Sequence, residues 1–218
     1  QPGERVLDCC CGQGVLARHL AAQGVRVVGV DAAPTLLAAA RRRSGAQEDY
    51  RLGDARELDA VLASERFDHA AVVLALQDLD PIEPVLAELA ARVAPGGRLV
   101  VALTHPVLRI PRQARYGWDD ARGIQYRRLD GYLQPRSVAI RSRPGADPDR
   151  ATTSYHRPLF QYLTALGAAG WGVVACEELC SPRRGSPGPR REAEERAGRE
   201  FPVFLILTAV RLGERDRG

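Results

Sequence analysis

Apolar residues near the start of the chain alternate between two spacings. The runs 6–10 (VLDCC) and 25–31 (VRVVGVD) are short and almost continuously apolar, as strands buried in parallel sheets are. Between them, the run 14–24 (GVLARHLAAQG) repeats its apolar positions every 3.6 residues and ends on glycine, which predicts an amphipathic helix. The three segments together form one strand–helix–strand unit.

The same alternation continues through the first half of the chain. A helix is predicted over 34–43 because proline occupies its first turn, and strands follow at 49–54 and 67–76. A further helix over 81–93 ends before the turn sequence PGG at 95–97, after which a fifth strand is predicted. Alternation this regular predicts an α/β fold built on a doubly wound, mostly parallel sheet.

The pattern changes in the second half. Residues 106–150 contain prolines, glycines, ten arginines and no sustained helical period, so we expect an inserted lid there. A helix over 158–170 restores the alternation, and strands are predicted at about 172–180 and 203–211. Residues 181–200 are poor in apolar side chains and rich in charge, which predicts a mobile loop.

Composition restricts the class of protein. A chain of 218 residues that is 45% hydrophobic can bury one core, so we expect a single domain over 1–218, as a monomer or homodimer. No apolar run reaches the roughly 20 residues that span a bilayer, and no leader pattern opens the chain, so we expect a cytoplasmic protein without membrane partners. A net charge of +4, carried by arginines alone, argues only weakly for a nucleic-acid partner.

Five cysteines raise the question of a metal site. Cys9, Cys10 and Cys11 are consecutive, and neighbouring strand residues point to opposite faces, so the three cannot complete a tetrahedral zinc site. Cys176 and Cys180 do not form a C-x-x-C pair. We therefore expect buried thiols and no metal.

Two glycines follow the first predicted strand, where open parallel sheets bind ligands. Gly12, Gly14 and Ala17 satisfy G-x-G-x-x-A, which taken alone is equally compatible with a nicotinamide dinucleotide. Carboxylates at the ends of neighbouring strands favour a different ligand. A rim of negative charge repels a diphosphate, so it suits an adenosine that carries no diphosphate. These carboxylates are Asp8, Asp31 and Asp54.

With these residues the sequence resembles the class I S-adenosylmethionine-dependent methyltransferases of the small-molecule type. The matching stretches are VLDCCCGQG at 6–14, VVGVD at 27–31, LGDA at 52–55, FDHAAVVLALQDL at 67–79 and VAPGGRLVVAL at 93–103. The resemblance implies a Rossmann-like sheet of seven strands, an antiparallel C-terminal strand, an inserted lid, and S-adenosyl-L-methionine as cofactor.

The resemblance also implies which residues bind the cofactor. The amino-acid end of the cofactor would contact Asp8, Cys10, Gly12, Gln13 and Gly14. Its ribose would contact Asp31 and Ala32, and its adenine would contact Asp54 and Ala55. The wall near the sulfonium would be formed by Leu74, Ala75 and Leu76. Cys10 stands where the family usually has glycine. A side chain at this position is expected to require a negative φ.

The acceptor is expected under the lid. No Asn-Pro-Pro-aromatic sequence follows the fourth strand and no Pro-Cys pair is present, which argues against acceptors on DNA and on cytosine carbon. A small molecule methylated at oxygen or nitrogen by in-line transfer is the primary prediction, with an RNA acceptor, or a nicotinamide-binding domain, as alternatives. The residues expected to bind the acceptor are Tyr116, Trp118, Tyr126, Tyr132 and Arg157, although the aromatics could instead form the core of the lid.

Catalysis by a base would be needed for a poorly ionised hydroxyl. His156, next to Arg157 before the last helix, is the first candidate to orient or deprotonate the acceptor, followed by Tyr155 and His105. The alternative interpretation is a histidine that caps a helix or packs in the core.

Overall fold

The computed structural model describes residues 1–140, 152–182, 185 and 187–213. Its first half alternates strands and helices as the sequence predicts. The elements in chain order are β1 (Arg5–Cys9), α1 (Val15–Ala21), β2 (Arg26–Asp31), α2 (Pro34–Arg41), β3 (Glu48–Leu52), α3 (Asp59–Leu62), β4 (Phe67–Val73), a 3₁₀ turn (Leu76–Asp78), α4 (Glu83–Arg92) and β5 (Val93–Thr104).

The second half contributes the lid and the end of the sheet. Its elements are β6 (Ala114–Asp119), β7 (Ile124–Leu129), β8 (Arg136–Ile140), β9 (Thr152–His156), α5 (Leu159–Ala168), β10 (Trp171–Leu179), α6 (Arg191–Glu200) and β11 (Phe204–Arg211). The central sheet has seven strands in the order β10-β11-β5-β4-β1-β2-β3. β11 runs antiparallel to both of its neighbours, and the pairs among the first five strands are parallel, which confirms the predicted fold class.

The register brings the ends of three strands together. Asp8 pairs with Gly29, and Cys9 pairs with Val30 on β2 and with Val72 on β4. β1 therefore lies between β2, which follows the first crossover, and β4, to which the chain returns from β3 at the edge of the sheet. The chain reverses its direction of winding between β1 and β4. Parallel sheets of this kind leave a crevice beyond the carboxyl ends of their strands at that point.

Helices on both faces bury the sheet. On one face, α4 packs Val85, Leu86 and Leu89 into the main apolar cluster, because these side chains recur at three- and four-residue spacing along one stripe. Trp171, at the start of β10, is fully buried and its indole N–H donates to the carbonyl of Leu86 at 3.1 Å. The second cluster, on the other face, is built around Leu37 and Tyr50.

The predicted lid consists of antiparallel ribbons. β6 pairs with β7, and β8 pairs with β9, each as a two-stranded ribbon outside the central sheet. Most side chains of these strands are exposed or half-buried, so the period-2 alternation that would reveal a strand is weak in the sequence. Residues 141–150, the end of the predicted lid, lie outside the described residues.

The structure corrects the loop predicted over 181–200. Its second half, residues 191–200, is the helix α6. Ala193 and Ala197 lie four positions apart and are buried, and the Arg191 guanidinium donates to Glu195 at 2.9 Å along the exposed face. The segment carries so much charge because only a narrow alanine stripe contacts the protein. None of the helices in the described part of the chain is long and apolar enough to span a membrane.

Candidate functional site

The turn from β1 into α1 forms the floor of the crevice. Gly12 and Gly14 have φ angles of +54° and +69°, a region that side chains rarely occupy. A Cβ at Gly12 would meet nothing within 4 Å, whereas one at Gly14 would lie 2.2 Å from the hydroxyl oxygen of Tyr50. Gly14 is therefore required for packing against Tyr50, and Gly12 opens the main chain to a ligand.

Cys10 adopts the left-handed conformation that the sequence argument excluded. Its φ is +61°, so the expectation of a negative φ is wrong. The turn keeps the backbone shape that glycine would give it, at a steric cost of roughly 1–2 kcal/mol for a residue with a Cβ. The side chain is half-buried against the main core, so packing holds the residue in this conformation.

The environment of the neighbouring thiols, Cys9 and Cys11, makes them unreactive. A hydrogen bond with Cys10 and complete burial raise the pKa of Cys9, and burial raises the pKa of Cys11. Both thiols therefore stay protonated at neutral pH, and a protonated buried thiol is a poor nucleophile and a poor metal ligand. Within the described ranges, no group of three or more His, Cys, Asp or Glu side chains is placed to hold a metal ion.

Asp8 is a buried carboxyl group with an unused acceptor. The residue is 2% exposed, and its Oδ2 atom has no hydrogen-bond partner. The pKa of Asp8 is raised to about 7. Burial is the main cause, the backbone N–H of Ala17 opposes the shift, and the negative charge of Asp31 adds to it. An unpartnered buried carboxylate is costly in a protein without a ligand, so this group is suited to a positively charged or hydrogen-donating partner.

Asp31 ends β2 and holds the glycine turn in place. Its Oδ2 accepts the N–H of Gly12 and its Oδ1 accepts the N–H of Ala33, both at 2.8 Å. Each carboxylate oxygen offers about two lone pairs, so one on each oxygen is left for another donor. Ala32, next to it, is exposed at the crevice edge.

Asp54 is occupied more fully than the sequence suggests. The Arg56 guanidinium donates to its Oδ2 at 2.6 Å, and the Arg56 backbone N–H donates to its Oδ1 at 2.9 Å. These hydrogen bonds hold the pKa of Asp54 below its usual value. An adenine amino group would therefore have to share this carboxylate with Arg56. Ala55, which follows it, is buried.

The end of β4 and the residue after Gly12 complete the predicted cofactor set. Leu74 has a φ of +53° and is 42% exposed, so its side chain is turned out of the core at the carboxyl edge. Ala75 is half-buried, whereas the side chain of Leu76 lies in the main core and only its main chain remains available. Gln13 is exposed, and its carbonyl accepts from the Arg18 guanidinium at 2.6 Å.

A separate cleft of about 350 Å³ opens beyond β4 and β5, under the lid. Its lining comes from the 3₁₀ turn, the end of β5, the following loop and the ribbon β8–β9. The residues are Gln77, Asp78, Thr104, Arg109, Pro111, Ile140, Thr152 and Ser154. The sequence analysis proposed none of them, although Gln77 and Asp78 follow β4 directly in the ALQDL stretch. We call this space the acceptor cleft.

The aromatics proposed to bind the acceptor lie elsewhere. The Tyr116 ring packs against Phe201 with a centroid distance of 6.3 Å, and the Arg190 guanidinium covers Trp118 at 4.5 Å. Tyr126 packs directly against Gly117 on the paired strand. These three side chains belong to the ribbon β6–β7 and its contact with α6, which was the alternative interpretation.

The fourth aromatic, Tyr132, connects the lid to α5. Its hydroxyl accepts the N–H of Leu159, the first residue of that helix, at 2.9 Å. Its backbone carbonyl lies 2.7 Å from Nε2 of His156. A carbonyl can only accept, so Nε2 of His156 carries the proton and is committed to this contact. Because His156 is also buried, a structural role fits it better than the proposed catalytic one.

His105 is likewise fully engaged. Nδ1 accepts the N–H groups of Val107 and Leu108, both at 3.2 Å, and Nε2 lies 2.6 Å from a carboxylate oxygen of Glu178. With both ring nitrogens occupied in a buried site, His105 has no free position for an acceptor proton. It fixes the loop after β5 instead.

Arg157 is a predicted acceptor residue that lines a small void beside the acceptor cleft. It is buried, donates to the Leu79 carbonyl at 2.7 Å, pairs with Asp80, and lies over the ring of Tyr155 at 5.4 Å. Its Nη1 atom is buried and has no partner. Together with Tyr155 and Gln77 it lines a void of about 10 Å³ that shares five of its residues with the acceptor cleft.

Comparison with known proteins places these features in a family. The family described as "Methyltransferase domain" matches residues 6–97, which span β1 to the start of β5. Demethylmenaquinone methyltransferase of Beutenbergia cavernae is 34% identical over 146 residues, covering 67% of this chain and 56% of the relative. Ubiquinone biosynthesis O-methyltransferase of Methylocella silvestris is 33% identical, covering 66% and 58%. The chain thus spans less than two thirds of the length of these curated relatives.

A solved structure extends the similarity to the whole chain. The S-adenosylmethionine-dependent methyltransferase from Mesorhizobium loti is 26% identical and superposes with a TM-score of 0.76. The match covers 96% of this chain and 92% of that one, so the lid, α6 and β11 are part of the shared architecture.

Proposed function

The chain belongs to the class I S-adenosylmethionine-dependent methyltransferases, and from that membership we propose that it methylates an oxygen or nitrogen atom of a small molecule. The observation that carries the proposal is the arrangement at the end of β1: an unpartnered buried carboxylate oxygen on Asp8 beside an open main-chain position at Gly12. A ligand with an amino group and a compact chain fits this arrangement, and a diphosphate does not.

The residues present fit the cofactor. Asp8 would hold the amino group of its methionine part, Gly12 and Gly14 would allow the main chain to approach it, and Asp31 would accept the ribose hydroxyls while Asp54 and Ala55 lie at the adenine end. When bound, S-adenosylmethionine supplies an electrophilic methyl group on a positively charged sulfur. The chain's own contribution is to hold the acceptor in line with that group and to keep water out.

The acceptor cleft supports a small molecule as the second substrate. Its volume of about 350 Å³ lies within the range of ligand pockets, and apolar walls from Pro111 and Ile140 face polar groups from Thr104, Asp78 and Ser154. The names of the relatives from Beutenbergia and Methylocella refer to quinone substrates or quinone biosynthesis, which supports ring compounds of similar size.

The lid's arginines support a small molecule over RNA. Arg127 donates to the Leu108 carbonyl and covers Tyr116, and Arg128 pairs with Asp130. Phosphate binding would require these guanidinium groups to be released from partners within the lid. A cytoplasmic location and a monomeric or homodimeric state stay predictions from the sequence.

Calorimetric titration with S-adenosylhomocysteine tests the proposal, with NAD and NADP as controls. We expect binding of S-adenosylhomocysteine alone, and its loss in Asp31→Ala, because that change removes both the ribose acceptor and the contact with the Gly12 N–H. The matched control is Asp49→Ala, which removes an exposed carboxylate from β3 that pairs with Arg51. Binding of a nicotinamide nucleotide, without a response to S-adenosylhomocysteine, would contradict the assignment.

A further inference from the structure

Two unsatisfied polar atoms belong to residues that line a small void beside the acceptor cleft. Oε1 of Gln77 and Nη1 of Arg157 are both buried without a hydrogen-bond partner, and both residues line the void of about 10 Å³. Gln77 is held in place because its Nε2 donates to the Leu74 carbonyl at 2.7 Å, and Arg157 is held by Leu79 and Asp80. The lining of the void therefore includes one residue with a fixed, unsatisfied acceptor and one with a fixed, unsatisfied donor.

The chemistry of this void selects its occupant. Leaving a buried donor or acceptor unpaired costs roughly 1–3 kcal/mol for each group. A space of this size accommodates about one oxygen atom. A hydroxyl group satisfies both atoms at once, because it accepts from the Arg157 guanidinium and donates to the Gln77 amide oxygen. A carbonyl oxygen would satisfy Arg157 alone.

Asp78 lies next to this void and faces the larger cleft. It is half-buried, lines the acceptor cleft, and receives a hydrogen bond from the Ser154 hydroxyl on β9. Arg109 of the loop after β5 lines the same cleft. Burial raises the pKa of Tyr162 on α5, and the charge of Asp78 adds a smaller increase. Arg157, which precedes α5, and His156 at the end of β9 also line the void. Asp78 is thus the carboxylate in this lining set.

We propose that Asp78 is the general base for methyl transfer and that the void between Gln77 and Arg157 seats a second hydroxyl of the acceptor. The acceptor class is a molecule with two neighbouring hydroxyl groups, one anchored in the void and one methylated. The inference rests on the proposed function, since it names the substrate class and the base of that same reaction.

The proton and the electrons balance in this scheme. The O–H bond of the reacting hydroxyl breaks and its proton passes to a carboxylate oxygen of Asp78. The new O–CH₃ bond forms as the C–S bond of the donor breaks, and that bonding pair stays on sulfur. Asp78 then releases the proton to solvent. Burial raises the pKa of Asp78, which makes it a stronger proton acceptor than a fully solvated carboxylate.

The test compares probes with one and two hydroxyl groups. Catechol and 3,4-dihydroxybenzoate are assayed with labelled S-adenosylmethionine beside phenol and 4-hydroxybenzoate, after S-adenosylhomocysteine binding has been established by calorimetry. We expect the dihydroxy probes to have a kcat/KM at least about tenfold higher, as one buried hydrogen-bonding site implies. Equal rates for both kinds of probe would overturn the proposal.

Variants separate the two parts. Asp78→Asn should lower kcat by about 10²–10⁴-fold, should abolish the fall in rate at acidic pH, and should leave S-adenosylhomocysteine affinity unchanged. Gln77→Leu should weaken catechol binding to the S-adenosylhomocysteine complex about tenfold by calorimetry, with little change for phenol. The control Glu83→Gln alters a carboxylate in the first turn of α4, outside the acceptor cleft, and should match the wild type.

Two results would refute the inference while the proposed function stands. One is a kcat in Asp78→Asn within threefold of the wild type. The other is normal S-adenosylhomocysteine binding without methylation of either dihydroxy probe. A protein that does not bind S-adenosylhomocysteine would instead fail the proposed function itself.

Discussion

Asp8→Asn should remove a pH dependence of stability that the buried carboxyl imposes. The pKa of Asp8 is about 7 in the folded chain, against 3.8 for an ordinary aspartate. Between these values the unfolded chain has lost the Asp8 proton and the folded chain has kept it. Because the unfolded state then binds fewer protons, the contribution of Asp8 makes folding stability fall as the pH rises through this window.

The magnitude follows from the size of the shift. About three pKa units at about 1.36 kcal/mol each give a loss of up to about 4 kcal/mol between pH 4 and pH 8. The asparagine variant has no proton to lose, so its advantage over the wild type in free energy of unfolding should grow by up to this amount. Urea denaturation of both proteins at pH 5 and pH 8 measures the part of this change that lies within that interval, about 2.6 kcal/mol.

The cofactor pocket supplies a second arm of the same experiment. An amino group beside Asp8 favours the charged carboxylate, so saturating S-adenosylhomocysteine should reduce the pH-dependent difference between the two proteins. Asp49→Asn, which changes an exposed carboxylate, is the control and should show little pH dependence of its own. A difference between Asp8→Asn and wild type that stays constant within about 0.5 kcal/mol from pH 5 to pH 8 would refute the reasoning.

Three further substitutions test the geometry of the site. Gly12→Ala should weaken S-adenosylhomocysteine binding in calorimetry and lower the free energy of unfolding by only about 1–2 kcal/mol. Gly14→Ala should lower the free energy of unfolding further in urea denaturation, because the new Cβ would meet the Tyr50 hydroxyl. Equal losses of stability in the two variants would contradict that contact. Cys10→Gly should have a free energy of unfolding about 1 kcal/mol higher than that of Cys10→Ala, because only glycine accepts a φ of +61° without strain. The reverse order would show that the turn changes its backbone conformation when a Cβ is present. Tyr132→Phe should lower the melting temperature by the equivalent of about 1 kcal/mol, since the first N–H of α5 loses its acceptor, and an unchanged melting temperature would mean that water replaces it.

The sequence predicts the first half of the fold well because its signals are local. The strands β1, β2 and β4 are short apolar runs between glycine and proline turns, and their observed bounds differ from the predicted ones by a few residues. α6 was missed because its buried face consists of two alanines among charged residues. A helix of that kind is recognised by what it packs against, which the local sequence does not contain.

The same distinction between local and long-range contacts applies to the predicted site residues, whose roles stay predictions. Asp8, Gly12 and Asp31 meet at one crevice because the order of motifs fixes which strand ends come together. The hydrogen bonds of the histidines could not be predicted, because their partners are distant in sequence: Glu178 lies 73 residues from His105. Side chains that fill hydrogen bonds through such long-range contacts cannot be told from free ones by spacing alone.

The contact between the lid and α6 has a consequence for how these insertions can be exchanged between relatives. The ribbon β6–β7 comes from the insertion after β5, whereas α6 comes from the connection between β10 and β11, and the two meet through Tyr116 against Phe201 and Arg190 against Trp118. Neither insertion buries its own apolar surface alone. Replacing one insertion with that of a relative would expose the apolar surface of the other, so recombination between relatives must transfer both insertions as a pair, across a stretch of sheet that stays common to both parents.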